Sequence, residues 1–367
     1  MSLPDLVGTV VAVQANFYLV RFDSAYHNFE QKARESLADS LLCTRRSRLK
    51  KIGQKVMVGD RVVVEEPDWA GGRGAISEVL PRKTELTRPP IANADCILLM
   101  FALAEPDLEP LALSRFLVKA ESTGLEVTLC LNKCDLVSEE QIAQWRERIS
   151  AWGYEALFVS VEKDVGISTP CFTYSNTNLA LELKDKITVI SGSSGVGKSS
   201  LINRLIPDAD LRVGEVSGKL ARGRHTTRHV ELFELPMGGL LADSPGFNQP
   251  QLECEPSELI YLFPEGRERL AAGSCQFSDC LHRSEPNCAV RGEWERYEYY
   301  LTFLEEAIAR QEALQQKPDG ESSLKAKTKA GGKRQLEPRL ESKRYRRSSR
   351  RVEHQKLQDF CEDFDEF

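Results

Sequence analysis

Gly192, Ser193, Ser194, Gly195, Val196, Gly197, Lys198 and Ser199 form a G-x-x-x-x-G-K-S run whose chemistry suits a polyphosphate. The glycines let successive backbone N–H groups turn toward the phosphates. Lys198 adds a point charge, and Ser199 offers a hydroxyl to Mg²⁺. Upstream, Asn132, Lys133, Cys134 and Asp135 have the form N-K-x-D. A carboxylate at the last position accepts both hydrogens from guanine N1 and N2, which adenine cannot supply. In an ordinary GTPase the phosphate loop precedes the base-reading motif. The order here is reversed, which predicts a circularly permuted G domain.

Each motif needs a strand to deliver it. Lys186–Ile190 is a short β-branched run, and Ser199, Ser200 and the residues to Leu205 read as the start of a helix. That is the strand–loop–helix order of a phosphate loop. Leu125–Leu131 is a second strand leading directly into Asn132. Tyr154–Ser160 reads as a third, ending where a backbone N–H could reach guanine O6. Ser160 is followed by Val161, where Ser-Ala is usual.

The apolar run Leu240–Ala242 ends in Asp243-Ser-Pro-Gly246, a D-x-x-G pattern. Asp243 is expected to hold Mg²⁺ through water and the Gly246 N–H to contact the γ-phosphate. Between the phosphate motifs, Gly223–Arg228 is a polar loop with two candidate switch threonines. Either Thr226 or Thr227 could complete the Mg²⁺ shell. The residue after the D-x-x-G pattern is Phe247, which cannot orient an attacking water as the glutamine of Ras-like enzymes does. His225 is the best internal candidate for that task. Its alternative reading is a solvent-exposed loop residue or an RNA contact.

Cys275, Cys280, His282 and Cys288 follow the spacing C-x₄-C-x-H-x₅-C. A Cys₃His set in so short a stretch fills a tetrahedral Zn²⁺ shell with no open position, which points to one structural zinc. The intervening polar residues are poorly suited to hold shape by packing. Cys43, Cys96, Cys130, Cys134, Cys171, Cys254 and Cys361 are scattered and read as packing or surface residues.

The 367 residues carry a net charge of −6, unevenly spread. Lys317–Arg351 holds 13 Lys or Arg against 4 Asp or Glu, a balance of +9 that leaves −15 for the remainder. No secretion signal is visible, and the clearest apolar run, Cys96–Ala104, is too short to span a bilayer. A cytoplasmic protein with free thiols, no membrane contact and a monomeric state is expected.

Residues 1–80 contain five short β-type runs: Val7–Val13, Phe17–Phe22, Ser40–Cys43, Asp60–Glu65 and Gly74–Val79. They suit an OB-type Greek-key barrel. The basic stretch Arg45–Lys51 and the aromatics Phe17, Tyr18 and Phe22 make RNA a plausible ligand. A small structural barrel with a solvated basic loop is the other reading. Residues 81–250 are expected to form the α/β circularly permuted P-loop GTPase domain. Residues 251–314 are expected to form a zinc-binding helical module, with Trp294, Tyr297, Leu301, Leu304 and Ile308 on one face of a helix beginning near Gly292. Residues 315–367 read as a disordered basic tail with an acidic end.

A barrel, then N-K-x-D before G-x-x-G-V-G-K-S-S, then C-x₄-C-x-H-x₅-C resembles the RsgA/YjeQ family of circularly permuted GTPases from about Leu6 to Leu314. The resemblance implies a GTPase stimulated by the small (30S) ribosomal subunit. It would act late in 30S maturation and be released after hydrolysis. It also implies that barrel and zinc module grip ribosomal RNA. Asn132, Lys133 and Asp135 would then read guanine, Gly192–Ser200 would hold the phosphates of GTP or GDP with Mg²⁺, and Cys275, Cys280, His282 and Cys288 would bind zinc. Two other function classes remain open. Phe247 favours a nucleotide-gated RNA-binding scaffold with negligible turnover; a P-loop ATPase or kinase is opposed by Asp135.

Overall fold

Val10, Tyr18, Val20, Leu41, Cys43, Val62, Val64 and Ile76 are buried together as the core of a closed barrel. The computed structural model describes residues 6–22, 40–161, 176–206, 230–243, 251–315, 324–328 and 334–338. Five strands build the barrel: β1 (Leu6–Gln14), β2 (Phe17–Phe22), β3 (Ser40–Arg45), β4 (Arg61–Asp68) and β5 (Arg73–Val79), with α1 (Ser47–Lys51) after β3. Their order is β1-β2-β3-β5-β4, closing back on β1, and only the β3–β5 pairing is parallel. This is the expected OB-type barrel. All five sequence-predicted runs become strands, and much of the basic stretch becomes α1. A register slip in β1 between Val10 and Ala12 lets two successive valines be buried. Val10 enters the barrel core, and Val11 joins Val58, Val189, Val230, Leu232 and Ala242 in a seam shared with the central sheet.

A small hairpin, β6 (Glu85–Thr87) and β7 (Pro90–Ala92), leads from the barrel to that sheet. The sheet contains β8 (Cys96–Ala102), β9 (Glu126–Asn132), β10 (Ala156–Phe158), β11 (Ile187–Ser191), β12 (Leu232–Glu234) and β13 (Leu240–Asp243). Its helices are α2 (Pro110–Glu121), α3 (Glu139–Ala151), α4 (Asn176–Glu182) and α5 (Lys198–Leu205). The spatial order is β10-β9-β8-β11-β13-β12, with every pairing parallel except β12–β13.

Every residue of β8 is buried, as a central strand covered on both faces requires. The period of two divides it. Ile97, Leu99 and Phe101 pack with Phe116, Leu117 and Ile149, whereas Leu98, Met100 and Ala102 pack with Leu179, Leu201 and Ile202. The chain therefore lays down the β8–β9–β10 half first and returns to the middle with β11. That return is the structural form of the inverted motif order. Helix α3 begins with a reciprocal capping box between Ser138 and Gln141.

Beyond the sheet lie α6 (Pro264–Ala272) and α7 (Tyr297–Gln315), packed around Phe263, Val290, Tyr300, Phe303 and Leu304. The helix predicted near Gly292 begins at Tyr297 instead. Trp294 donates its ring N–H to the Val290 carbonyl at 3.2 Å and accepts at its carbonyl from the Tyr297 N–H at 3.0 Å, which holds the preceding residues in a turn. Tyr300, Phe303, Leu304 and Ala307 are its fully buried residues.

The chain divides into two compact units, Met1–Ile308 and Ala309–Phe367. Within the stretch expected to be disordered, β14 (Leu324–Thr328) and β15 (Arg334–Pro338) pair antiparallel, with Ala326 opposite Leu336. The alternation of Leu324, Ala326 and Thr328 with lysines supplies the period of two that net charge obscures.

Candidate nucleotide site and metal centre

Parallel pairing brings the C-terminal ends of β8, β9, β10 and β11 to one edge of the sheet. Open α/β sheets bind ligands at such an edge. Asn132 sits at the end of β9, opposite Ala102, and is buried. Its Nδ2 donates to the Val196 carbonyl at 2.8 Å, and its Oδ1 accepts from the Val161 N–H at 3.2 Å. One side chain thus ties together the loops after β9, β10 and β11. Lys133 takes a left-handed backbone conformation, φ 61° and ψ 33°, and its ammonium donates to the Glu105 carbonyl in the β8–α2 loop. Cys134 begins a single-turn 3-10 helix, is buried, and donates its N–H to the Val159 carbonyl at 3.3 Å. Burial pushes its thiol up to about 11. The Ser160 hydroxyl donates to Asp135 Oδ1 at 2.7 Å, which orients that half-buried carboxylate.

The loop from Gly192 to Gly197 joins β11 to α5, whose first residue is Lys198. Gly192 has φ 146°, and a Cβ there would lie 1.9 Å from the Met100 carbonyl oxygen. Gly197 has φ 99°, and its Cβ would lie 2.5 Å from Asn132 Nδ2. No other residue type fits either position without displacing backbone or the Asn132 contact. Ser193 is half-buried, Ser194 and Gly195 are exposed, and Val196 is buried against the sheet. Lys198 Nζ donates to the Gly192 and Ser193 carbonyls at 3.0 and 2.7 Å, folded over its own loop. Ser199 and Ser200 lie in the first turn of α5. There the helix N-terminus favours an anion.

Asp243 closes β13, in register with Ile190 of β11, so its backbone reaches the same edge as the phosphate loop. His225, Thr226, Thr227, Gly246 and Phe247 lie outside the described residues.

Cys275, Cys280, His282 and Cys288 form a second cluster, with all four ligand atoms within 4.8 Å of one another. His282 Nδ1 stands 3.5 Å from the sulfurs of Cys275 and Cys280 and 3.3 Å from that of Cys288; Cys275 and Cys288 sulfurs are 3.9 Å apart. Ligands about 2.3 Å (sulfur) and 2.0 Å (nitrogen) from one metal in a tetrahedron are separated by roughly 3.5–3.8 Å. The donor set therefore fits a single tetrahedral metal ion. Outside the cluster, the Tyr297 and Tyr300 hydroxyls donate to the His282 and Leu281 carbonyls at 2.8 and 2.7 Å. Glu285 accepts N–H bonds from Leu281, Arg283 and Ser284, which hold its carboxyl below the usual range.

Sequence reasoning missed Arg296. It is fully buried, pairs with Glu265 through Nε at 2.8 Å, and donates to the Trp152 carbonyl at 3.4 Å. Its guanidinium lies 4.9 Å from the Trp152 ring and 5.0 Å from that of Phe263. This residue pins the α6–α7 module onto the α3–β10 turn. Pro106 was also missed; its Cδ would be 3.9 Å from a Cβ on Gly195, so the β8–α2 loop borders the phosphate loop. No local pattern announces either contact.

A barrel joined to a permuted P-loop sheet and followed by a Cys₃His cluster defines a circularly permuted GTPase. The sequence model of the RsgA GTPase family matches residues 79–253. The chain is 65% identical to "Small ribosomal subunit biogenesis GTPase RsgA" of Trichormus variabilis over 370 residues, 98% of each chain. It is 41% identical to "Small ribosomal subunit biogenesis GTPase RsgA 1, mitochondrial" of Arabidopsis thaliana, covering 98% of this chain and 87% of that one. Among solved structures, YjeQ from Thermotoga maritima aligns with TM-score 0.66 at 30% identity, over 83% of this chain and 99% of that one. YloQ, described as a circularly permuted GTPase, aligns with TM-score 0.65 at 31% identity, over 83% and 96%. The chain belongs to the RsgA GTPase family and is a GTP hydrolase. No helix among the described residues is long and apolar enough to cross a membrane.

Proposed function

We propose that the chain hydrolyses GTP when stimulated by the small ribosomal subunit, acts late in the maturation of that subunit, and leaves it after hydrolysis. The observation that carries the nucleotide reading is the double use of Asn132, which joins the base-reading and phosphate-binding loops. Asp135 reads guanine N1 and N2 while Ser160 holds its other contact, and the Val161 backbone stands beside Asn132, where the base loop must close. Lys133 supports the loop wall, and Cys134 packs beneath it. Gly192–Ser200 cradle the phosphates with backbone N–H groups, the Lys198 charge and the Ser199 hydroxyl. Mg²⁺, held by Ser199 and Asp243 with Thr226 or Thr227, would supply charge neutralisation at the β- and γ-phosphates. Gly246 contacts the γ-phosphate, and His225 positions water. The Cys₃His cluster holds one structural Zn²⁺, on the strength of its tetrahedral spacing.

The relatives named for small ribosomal subunit biogenesis support that subunit and its RNA as partners, met by barrel and zinc module. A monomer in the cytoplasm, with domains at 1–80, 81–250 and 251–314 and a charged tail at 315–367, fits this work. The second reading, an RNA-binding scaffold gated by nucleotide, is favoured by Phe247 alone. Turnover measured with and without 30S subunits separates the two. The proposal expects slow hydrolysis alone and strong stimulation by 30S, lost in His225→Ala while GTP affinity and co-sedimentation persist. A rate indifferent to 30S supports the scaffold. Full stimulation of His225→Ala makes that histidine a bystander.

A further inference from the structure

A cavity of about 560 Å³ opens between the barrel and the β6–β7 hairpin, away from the residues of the phosphate and base loops. Its size lies in the range of small-molecule sites. One wall is pinned by backbone pairing, since Val58 bridges Ile91 and accepts the Ala92 N–H at 2.8 Å. Two cations, Arg45 and Lys55, line it. Arg45 donates through Nη1 to the Gln54 carbonyl, and Lys55 is the next residue. The Arg45 guanidinium carbon lies 6.0 Å from the Tyr18 ring centroid, while its Nε is buried with no hydrogen-bond partner among the described residues. That donor has no accessible surface, so Arg45 meets the cavity through its other atoms. The acid in the lining, Glu85, is already engaged by Arg82 at 2.7 Å, so the two cations are in excess. The remaining lining includes the apolar groups Met57, Leu86, Pro90 and Val230.

We propose that this cavity is a second anion site for a nucleotide. Its phosphate pairs with Arg45 and Lys55, and its base lies on the apolar wall with Glu85 Oε1, the oxygen that Arg82 does not engage, as an acceptor for base N–H groups. Two cations suit a phosphate better than a single carboxylate, and a flat apolar body beside an acceptor suits a base. The same chemistry arrives either as a free mononucleotide or as one unstacked nucleotide of an RNA strand.

The test uses the full chain with its guanine site saturated by GDP and Mg²⁺. Three fluorescent probes are titrated: 2-aminopurine riboside, its 5′-monophosphate, and an RNA tetranucleotide carrying one 2-aminopurine. The phosphate-bearing probes should bind and the bare riboside should not. The double variant Arg45→Gln/Lys55→Gln should weaken binding by about tenfold or more, the scale of lost charge-assisted contacts. Lys55→Gln alone, at an exposed position that cannot upset folding, should weaken it measurably. Monophosphate binding that is lost in the variants identifies a free nucleotide, and tetranucleotide binding alone identifies an RNA strand. No binding by either probe, equal binding by the double variant, or an equal loss in the control Lys83→Gln overturns the proposal. Titration of the parent chain and of the double variant with a fluorescent GDP reads the guanine site separately, so failure of the guanine assignment and failure of this site are told apart.

Discussion

Asn132 Nδ2 lies 2.8 Å from the carbonyl oxygen of Val196, so the N-K-x-D motif grips the glycine-rich loop directly. The carbonyl belongs to a buried residue between two glycines of left-handed φ, Gly195 and Gly197. The loop's shape is therefore held from outside it. Its other amide contact, to the Val161 N–H, holds the third loop.

Asn132→Ala should lower affinity for GTP and GDP together, because it removes both ties and leaves a buried carbonyl unpaired. Such a loss costs about 1–3 kcal/mol, or roughly a fivefold to 150-fold change in dissociation constant. Equilibrium titration with a fluorescent GDP reads it. GDP affinity equal to that of the parent chain would show that the loop holds itself.

The Cys₃His cluster makes its own prediction. Purified protein should carry one Zn²⁺ per chain by elemental analysis, and Cys280→Ala should release it. The Leu281 and His282 carbonyls are held by Tyr300 and Tyr297, so metal loss should disturb the start of α7 and be visible in Trp294 fluorescence. GDP binding should survive, since among the described residues no cluster residue contacts the Asn132–Asp135 or Gly192–Gly197 loops. Metal-free protein prepared without chelator would refute the ligand set.

Arg296→Met should destabilise the protein more than any exposed arginine. It strands the Glu265 carboxylate, which is only 9% exposed, and breaks the stack with Trp152 and Phe263. Breaking a buried pair costs about 3–5 kcal/mol. The double variant Arg296→Met/Glu265→Leu should recover much of it, because an apolar pair leaves no uncompensated charge. Urea denaturation of the three variants measures this, and equal midpoints for single and double variants would show that Glu265 is indifferent to its partner.

Arg296 also shows why part of the molecule was not legible in the sequence. The phosphate and base motifs are short and local, because glycine spacing and one lysine or carboxylate specify them. Strands ending at Asn132 and Ser191 follow from apolar, β-branched runs, and the third ends at Phe158, two residues short of Ser160. The barrel's strands were legible from alternation, and its closure from their number. Arg296 and Glu265, by contrast, stand far apart in the chain, each within a charged segment that reads as solvated surface. Only the docking of α6 and α7 beside Trp152 makes them a pair. The start of α7 was misjudged for a related reason: Trp294 and Tyr297 keep helical spacing, yet the Trp294 ring N–H spends itself on Val290.

Acid should weaken a second tie between the same parts. Arg115 on α2 makes two bonds to Glu306 on α7, at 2.5 and 2.6 Å, and its guanidinium holds the Glu306 carboxyl below its ordinary value of 4.5. A carboxyl depressed in the folded state binds its proton more readily when unfolded. Its stabilisation is therefore complete above pH 4.5 and is lost as pH falls through the folded-state value. The pair is half-exposed, so its worth is small, about 0.5–1 kcal/mol. Glu306→Gln should accordingly melt slightly below the parent chain at neutral pH, and the gap should close as the solution is acidified below the ordinary carboxylate range. Added salt should narrow the gap at neutral pH, because the pair is reached by solvent. A difference in melting temperature that stays constant through the acid range would mean that Glu306 contributes by packing on α7 and not by its charge.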